Sequence, residues 1–271
     1  MTNTEDNRIK RLFEGHKDSS KILSLFLTAG YPDPDATIEL ILGFEENGVD
    51  MVELGIPFSD PLADGPTIQC SSNTAIEKGI TMRKILDIIR RVRRRSQIPI
   101  ILMGYINPIL RYGIEQFCRD AAGVGADGLI IPDIPIEESG ILKEHTEAHG
   151  LPIIYLVAPN TSDERMRKID GQSQGFVYCV SVTGVTGARD GEEVALSVQR
   201  FTDRVRQNVT RNPKMVGFGI KSYEDAQQIA AEMDGFIVGS ALIDTIRDHY
   251  PDEGWKDEVF AFVRSLKYGE K

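Results

Sequence analysis

The feature that most constrains this chain is an eightfold recurrence. Short apolar, β-branched runs return at KILSLFLT from Lys21, DMVELG from Asp50, PIILMG from Pro99 and DGLIIP from Asp127. They return again at PIIYLV from Pro152, GFVYCV from Gly175, KMVGFG from Lys214 and DGFIVG from Asp234. Most are continuously apolar rather than alternating, as parallel strands covered on both faces must be. Amphipathic segments fill the intervals. Ser222 and Asp225 approximate a capping box ahead of a stripe of Ala226, Ile229, Ala230 and Met233. Val194, Val198, Phe201 and Val205 make a second stripe, and Trp255, Val259, Val263 and Leu266 a terminal one. Gly48 and Gly150 stand where helix C-terminal caps belong.

Strand followed by helix, eight times over, predicts an α/β fold with a parallel sheet, and eight units favour a closed (β/α)8 TIM barrel over a doubly wound sheet. The length of 271 residues suits one such barrel, which typically needs ~250. No linker or low-complexity stretch marks a second domain, so residues 1–271 are read as one catalytic barrel. Two additions are expected. An extra helix around Arg8 to Phe13 precedes the first strand and would plug the barrel's bottom. The long connection from Gly55 to Thr81 would carry its own helix, roughly Thr67 to Lys78.

Composition narrows the function classes. Hydrophobic residues at 41% and charged residues at 27% suit a globular protein with a full core. A net charge of −10 argues against nucleic acid or an anionic membrane as partner, but not against a small anion held by backbone dipoles. Cys70, Cys118 and Cys179 are widely spaced, without a Cys-x-x-Cys pair, so neither a disulfide framework nor a zinc site is expected. The polar N-terminal stretch and the short apolar runs predict a cytoplasmic protein that crosses no membrane. The basic run Arg90, Arg91, Arg93, Arg94 and Arg95 reads as a solvated helix end complementing the helix dipole, with an anion-binding patch as the alternative.

Chemistry in such barrels gathers at the C-terminal ends of the strands. After the sixth strand comes SVTGVTGARD, after the seventh GFGI, and the eighth ends in VGSA at a helix start. Glycine lets backbone N–H groups approach an anion, and the helix dipole favours its charge. Gly187, Gly217, Gly219, Gly239 and Ser240 therefore form a candidate phosphate cradle, although any one glycine alone would serve a turn equally well. Glu53 interrupts the strand MVELG, where a carboxyl is either bonded structurally inside the barrel or kept for catalysis. Asp60 and Asp64 lie on the following loop, PFSDPLADGP, where turn chemistry is the bland reading, although a long, acid-bearing loop at a barrel mouth is the expected place for function. Tyr105 and Tyr178 fall at or within the third and sixth strands, where a core aromatic with its hydroxyl bonded is the plainer reading of each. His16, His145, His149 and His249 lie in helical or surface-like segments, so no histidine triad or histidine metal site is supported. No strand-end lysine points to a Schiff base. Acid–base chemistry by carboxylates on a phosphorylated substrate remains.

FLTAGYPDP, VELGIPFSDPLADGPTIQ, GLIIPDIP, VSVTGVTG, VGFGI and VGSA together resemble the tryptophan synthase alpha chain family, in order, from about Phe26 to Ile243. The ELGIPFSDPLADGPTIQ string is the specific part, since glycine turns alone fit several phosphate-binding barrels. The resemblance implies cleavage of indole-3-glycerol phosphate to indole and glyceraldehyde 3-phosphate. It implies Glu53 as general acid/base, Asp64 as the aspartate at the indole nitrogen, and Tyr178 as support for the acid–base machinery. It further implies an indole pocket of Phe26, Tyr105, Ile130 and Leu156, and Thr186 on a loop that closes over substrate and orients the aspartate. A beta subunit is implied as partner in an alpha2-beta2 tetramer, with Asp60 facing it and indole passing through an enclosed passage. Pyridoxal phosphate would belong to that subunit, and this chain would hold no cofactor and no metal. MGYINPI and Cys179 depart from some relatives on a scale that affects packing rather than chemistry.

Three rival functions share parts of this pattern. An indole-glycerol-phosphate synthase or phosphoribosyl isomerase would share the phosphate site but not the pair Glu53 and Asp64 with its long loop. A stand-alone indole-releasing lyase would need no partner. A non-catalytic, phosphate-ester-binding regulatory subunit would have no use for both carboxylates.

Overall fold

The computed structural model describes residues 7–16, 21–180, 191–217 and 219–270, with side chains absent from the description at 191–195. Eight parallel strands form one sheet: β1 (Ile22–Thr28), β2 (Met51–Gly55), β3 (Ile100–Met103), β4 (Gly128–Ile130), β5 (Leu156–Val157), β6 (Val177–Val180), β7 (Lys214–Gly217) and β8 (Gly235–Val238). Their order is β4-β3-β2-β1-β8-β7-β6-β5. A parallel bridge between Leu129 and Ile153 joins the two edges and closes the barrel. Across it the Leu129 N–H donates to the Pro152 carbonyl at 2.8 Å and the Ile154 N–H to the Leu129 carbonyl at 2.9 Å.

Twelve helices surround the sheet among the described residues. Single helices α2 (Pro34–Glu46), α7 (Gly140–Ala148), α8 (Asp163–Gln172), α9 (Gly191–Asn208) and α10 (Tyr223–Ile229) follow β1, β4, β5, β6 and β7. Pairs follow β2 (α3, Pro66–Glu77; α4, Met82–Val92), β3 (α5, Ile106–Tyr112; α6, Ile114–Val124) and β8 (α11, Ser240–His249; α12, Trp255–Tyr268). The capping box at Ser222 is complete: its hydroxyl accepts the Asp225 N–H while the Asp225 carboxylate accepts the Ser222 N–H. The fifth strand is shorter than its apolar run. Pro152 has no N–H to donate, and the Tyr155 N–H goes to the Ser173 hydroxyl at 3.2 Å rather than to a neighbouring strand.

Side chains alternate strictly along the strands, and this parity decides which residues face the barrel axis. Leu23, Leu25 and Leu27 of β1, and Val52 and Leu54 of β2, point outward into the helix layer. Ile22, Met51, Ile101, Phe176, Met215 and Ile237 point inward and form a separate inner core. Ser24 shares the parity of Ile22, and Glu53 that of Met51, so both are directed into the barrel.

The bottom is sealed by α1 (Arg8–Gly15), whose Ile9 is fully buried in the inner core and packs on Gly128 and Gly175. Asp127, at the foot of β4, accepts Arg8 Nη1 at 2.9 Å and Arg93 Nη2 at 2.6 Å. The basic run therefore divides. Arg90 and Arg91 form exposed pairs with Asp87 and Asp35, whereas Arg93 is 9% exposed and also donates to the Gly125 and Ile98 carbonyls. Burial of that guanidinium is tolerated because every one of these acceptors is fixed by the barrel floor.

Candidate active site

Glu53 is fully buried on the inner face of β2, level with Phe26 of β1 in the strand register. The Ser24 hydroxyl donates to its Oε1 at 3.0 Å, while Oε2 is buried without a hydrogen-bond partner. A buried polar atom left unpaired costs about 1–3 kcal/mol, so a carboxyl in this state is held against a stability gradient. Burial pushes its pKa up to about 8, opposed only in part by the Ser24 hydrogen bond. Tyr178, inward-facing on β6, is shifted upward by burial and further by the nearby Glu53 charge. Near neutral pH, therefore, Glu53 keeps its proton and can act as an acid, then as a base once that proton has left.

The loop after β2 brings a second carboxyl to the mouth. It is anchored at its start by the Ala29 N–H on the Gly55 carbonyl (2.9 Å) and the Ile56 N–H on the Met103 carbonyl (2.7 Å). Farther along, the Tyr105 hydroxyl accepts the Ala63 N–H at 3.0 Å. Asp64 follows immediately and is half-buried; burial raises its pKa, and the neighbouring Tyr105 hydroxyl opposes that shift. Tyr105 is itself pushed up to about 12, chiefly by burial. Asp60 is exposed on the same loop and accepts a hydrogen bond from the Ser59 hydroxyl.

Opposite Asp64 lie the glycine turns. A cavity of about 200 Å³ opens at the strand ends, with Phe26, Asp64, Ile68, Met103 and Ile237 on its wall. Gly217, Gly219, Gly239 and Ser240 line it as well, with Tyr178, Ile220, Lys221 and Ala241. Gly219 has φ +68°, a left-handed conformation that favours glycine. Gly239 caps the ten-residue α11, whose first amides are free to hold an anion and whose dipole favours negative charge. The cavity thus pairs an apolar slot and a carboxylate with an anion cradle.

The sequence-predicted residues do not all meet there. Phe26, Asp64, Tyr178, Gly217, Gly219, Gly239 and Ser240 share the cavity. Tyr105 lines an adjoining recess of about 20 Å³ together with Phe26 and Asp64. Glu53 lies beneath the wall, beside residues that form it. Ile130 is fully buried in the inner core, Leu156 packs against that core half-buried, and neither lines the cavity. Asp60 does not reach it. Thr186 and Gly187 lie outside the described residues. Ser24, Ile68, Met103, Ile237 and Lys221 also stand at the site and are absent from the sequence expectations. Ser24 was open to detection, because it stands two residues before Phe26 on the same strand face. Lys221 directly follows GFGI, whereas Ile68, Met103 and Ile237 look like ordinary core. Among the described residues no group of three or more His, Cys, Asp or Glu side chains is poised to hold a metal ion. No helix among them is long and apolar enough to cross a membrane.

A family model described as tryptophan synthase alpha chain matches residues 13–268. The tryptophan synthase alpha chain of Thermoanaerobacter sp. (strain X514) is 47% identical over 262 residues, covering 96% of this chain and 98% of the relative. The solved tryptophan synthase subunit alpha from Legionella pneumophila str. Paris superposes with a TM-score of 0.87 at 38% identity, covering 97% of each chain. An open form of tryptophan synthase from M. tuberculosis superposes at 0.85 with 32% identity, covering 97% of this chain and 98% of that one. Similarity this high along almost the entire length means that the chain belongs to the tryptophan synthase alpha chain family.

Proposed function

We propose that this chain is the lyase subunit that cleaves indole-3-glycerol phosphate to indole and glyceraldehyde 3-phosphate, with Glu53 as the proton carrier. The observation that carries this reading is the buried, half-partnered Glu53 carboxyl beside a cavity that joins an apolar slot, Asp64 and an anion cradle. The phosphate sits on the turns of Gly217, Gly219, Gly239 and Ser240, with Gly187 completing them, and the indole lies against Phe26 and Tyr105, with Ile130 and Leu156 in the inner core behind that wall. Neutral Glu53 gives its proton to the ring carbon that bears the side chain. Asp64 accepts the ring N–H and stabilises the positive charge that develops there. The Glu53 carboxylate then takes the proton of the adjacent hydroxyl, and that oxygen becomes the aldehyde as the carbon–carbon bond breaks. The bonding pair returns to the ring and restores indole, leaving Glu53 protonated as it began. Tyr178 borders this path and keeps water from it, and Thr186 orients Asp64 from its loop. Glu53 moves both protons and Asp64 steadies the ring charge, so the chain itself needs no cofactor or metal.

Residues 1–271 act as one catalytic domain in the cytoplasm, in a tetramer of two alpha and two beta subunits. The beta subunit carries the pyridoxal phosphate and receives the indole. It docks on the face that bears Asp60. There Leu62 is 89% exposed, and a cleft of about 1000 Å³ runs past Phe58, Ser59, Met82 and Asn107.

The test is to give purified chain indole-3-glycerol phosphate and follow indole release, alone and with a beta subunit, for wild type and Glu53→Gln. Cleavage that the partner stimulates and the variant lacks supports the reading. Near-normal turnover by Glu53→Gln removes Glu53 from the chemistry, and full activity without association makes the chain a stand-alone lyase.

A further inference from the structure

We propose that Ser24 is a positioning residue for Glu53: its buried hydroxyl holds Oε1 and so assigns the proton exchanged with substrate to Oε2. This deepens the acid–base reading of Glu53 and rests on it.

The two residues meet because adjacent parallel strands present inward side chains at neighbouring levels. Ser24 pairs in register with Met51 and Phe26 with Glu53, so the carboxyl lies between the levels of Ser24 and Phe26. Both Ser24 and Glu53 are fully buried, and the Oγ–Oε1 distance is 3.0 Å. Around them the inner wall is apolar, with Ile22, Met51, Ile101 and Ile237, and Tyr178 from β6 is the titratable group that faces Glu53. No other side-chain or backbone donor among the described residues reaches the carboxyl, since Oε2 has no partner and Oε1 has Ser24 alone.

A glutamate's terminal torsion is broad and roughly two-fold, so an unrestrained carboxyl interchanges its oxygens freely. One donor breaks that symmetry. In the neutral acid a hydroxyl donating to Oε1 marks it as the carbonyl oxygen, which leaves the acidic proton on Oε2. After the proton has gone, the same hydroxyl stabilises the carboxylate against its apolar surroundings. Ser24 thereby serves both halves of the cycle without touching substrate.

The experiment compares wild type, Ser24→Ala, Ser24→Thr, Glu53→Gln and the double variant Ser24→Ala/Glu53→Gln in the full chain with its beta subunit. Turnover and KM for indole-3-glycerol phosphate are measured against pH. An infrared titration of isotope-labelled glutamate carboxyls, with Glu53→Gln identifying the Glu53 band, reads the ionisation directly. In Ser24→Ala we expect kcat to fall about tenfold with KM nearly unchanged, and both the pH profile and the Glu53 band to titrate about half a unit to one unit higher. Ser24→Thr restores both. Ser24→Ala adds nothing to Glu53→Gln if the two act as one unit. Should the alanine variant fold poorly, Ser24→Cys, near in size and a weaker donor, must show the same upward shift.

An unchanged pH profile and infrared titration in Ser24→Ala overturns the proposal while leaving Glu53 in its role. So does a loss of activity that persists undiminished in the Glu53→Gln background. Near-normal turnover by Glu53→Gln overturns the reading of Glu53 and this proposal with it.

Discussion

The Tyr105 hydroxyl accepts the backbone N–H of Ala63 at 3.0 Å, and by that bond a residue at the end of one strand holds the loop of another. Asp64 is the next residue along, and the same hydroxyl favours its ionised form. Tyr105→Phe is therefore expected to destabilise the fold by about 1 kcal/mol in urea unfolding, the usual worth of one such bond. It is also expected to move the acidic limb of kcat/KM upward in pH, because in the proposed reaction Asp64 accepts the ring N–H in its ionised form and would lose the group that opposes its desolvation. An acidic limb at the wild-type position would show that Tyr105 does not tune Asp64.

A Cβ placed on Gly217 would lie 2.9 Å from the Tyr178 hydroxyl, with ring carbon atoms at 3.2 and 3.3 Å. Tyr178 is buried in the barrel and has little room to yield. Gly217→Ala should lower kcat/KM by about tenfold or more, equivalent to about 1.4 kcal/mol, through displacement of Tyr178 and narrowing of the anion cradle. Gly140→Ala, where a Cβ meets nothing within 4 Å, is the matched control and should leave activity and Tm unchanged. Equal behaviour of the two variants would dissociate Tyr178 and Gly217 from the reaction.

Much of this arrangement was legible in the residue order because it depends on local pattern. The eight apolar runs all carry strands, and the helix expected near Thr67 to Lys78 runs from Pro66 to Glu77. Asp64 and the glycine turns were visible for the same reason: loops at strand ends carry their chemistry in contiguous letters. What escaped depends on closure and register. Ser24 acquires its role only because β1 lies beside β2, and Met103 and Ile237 reach the same cavity only because the sheet curls. Arg93 reads as one more solvated cation until the floor of the barrel brings Asp127 beneath it. Ile130 shows the converse: it shares the inward parity and the register of Met103, yet it is fully buried in the inner core while Met103 lines the cavity.

The raised pKa of Glu53 has a thermodynamic counterpart. The folded protein holds this proton up to about pH 8, whereas the unfolded chain releases it near the ordinary value of 4.5. Between those values the unfolded state binds fewer protons, so stability falls as pH rises, and the loss levels off above pH 8. Glu53→Gln removes the titrating group and keeps its shape. The variant should be more stable than wild type by about 2 kcal/mol or more at pH 8.5, an advantage that shrinks steadily toward pH 5. Chemical denaturation across that range measures it, and a difference independent of pH would mean that the carboxyl does not hold its proton in the fold.

Lys221 contributes a cation to the cavity wall that holds Gly217, Gly219, Gly239 and Ser240. Its backbone N–H is fixed by the Asp225 carboxylate at 3.0 Å, part of the cap that starts α10, so the root of the side chain is held at the cradle. The side chain is exposed, and its attraction for a phosphate dianion is screened by salt and worth at most about 1 kcal/mol. Such a charge binds substrate and transition state alike, because the phosphate takes no part in bond breaking. Lys221→Met should accordingly raise KM for indole-3-glycerol phosphate about threefold to fivefold at low ionic strength with kcat unchanged. The difference from wild type should fade in high salt, and Lys221→Arg should restore the low-salt value. A drop in kcat instead would tie Lys221 to the reacting carbons, and no change in KM would leave the cradle to its glycine amides and the α11 dipole alone.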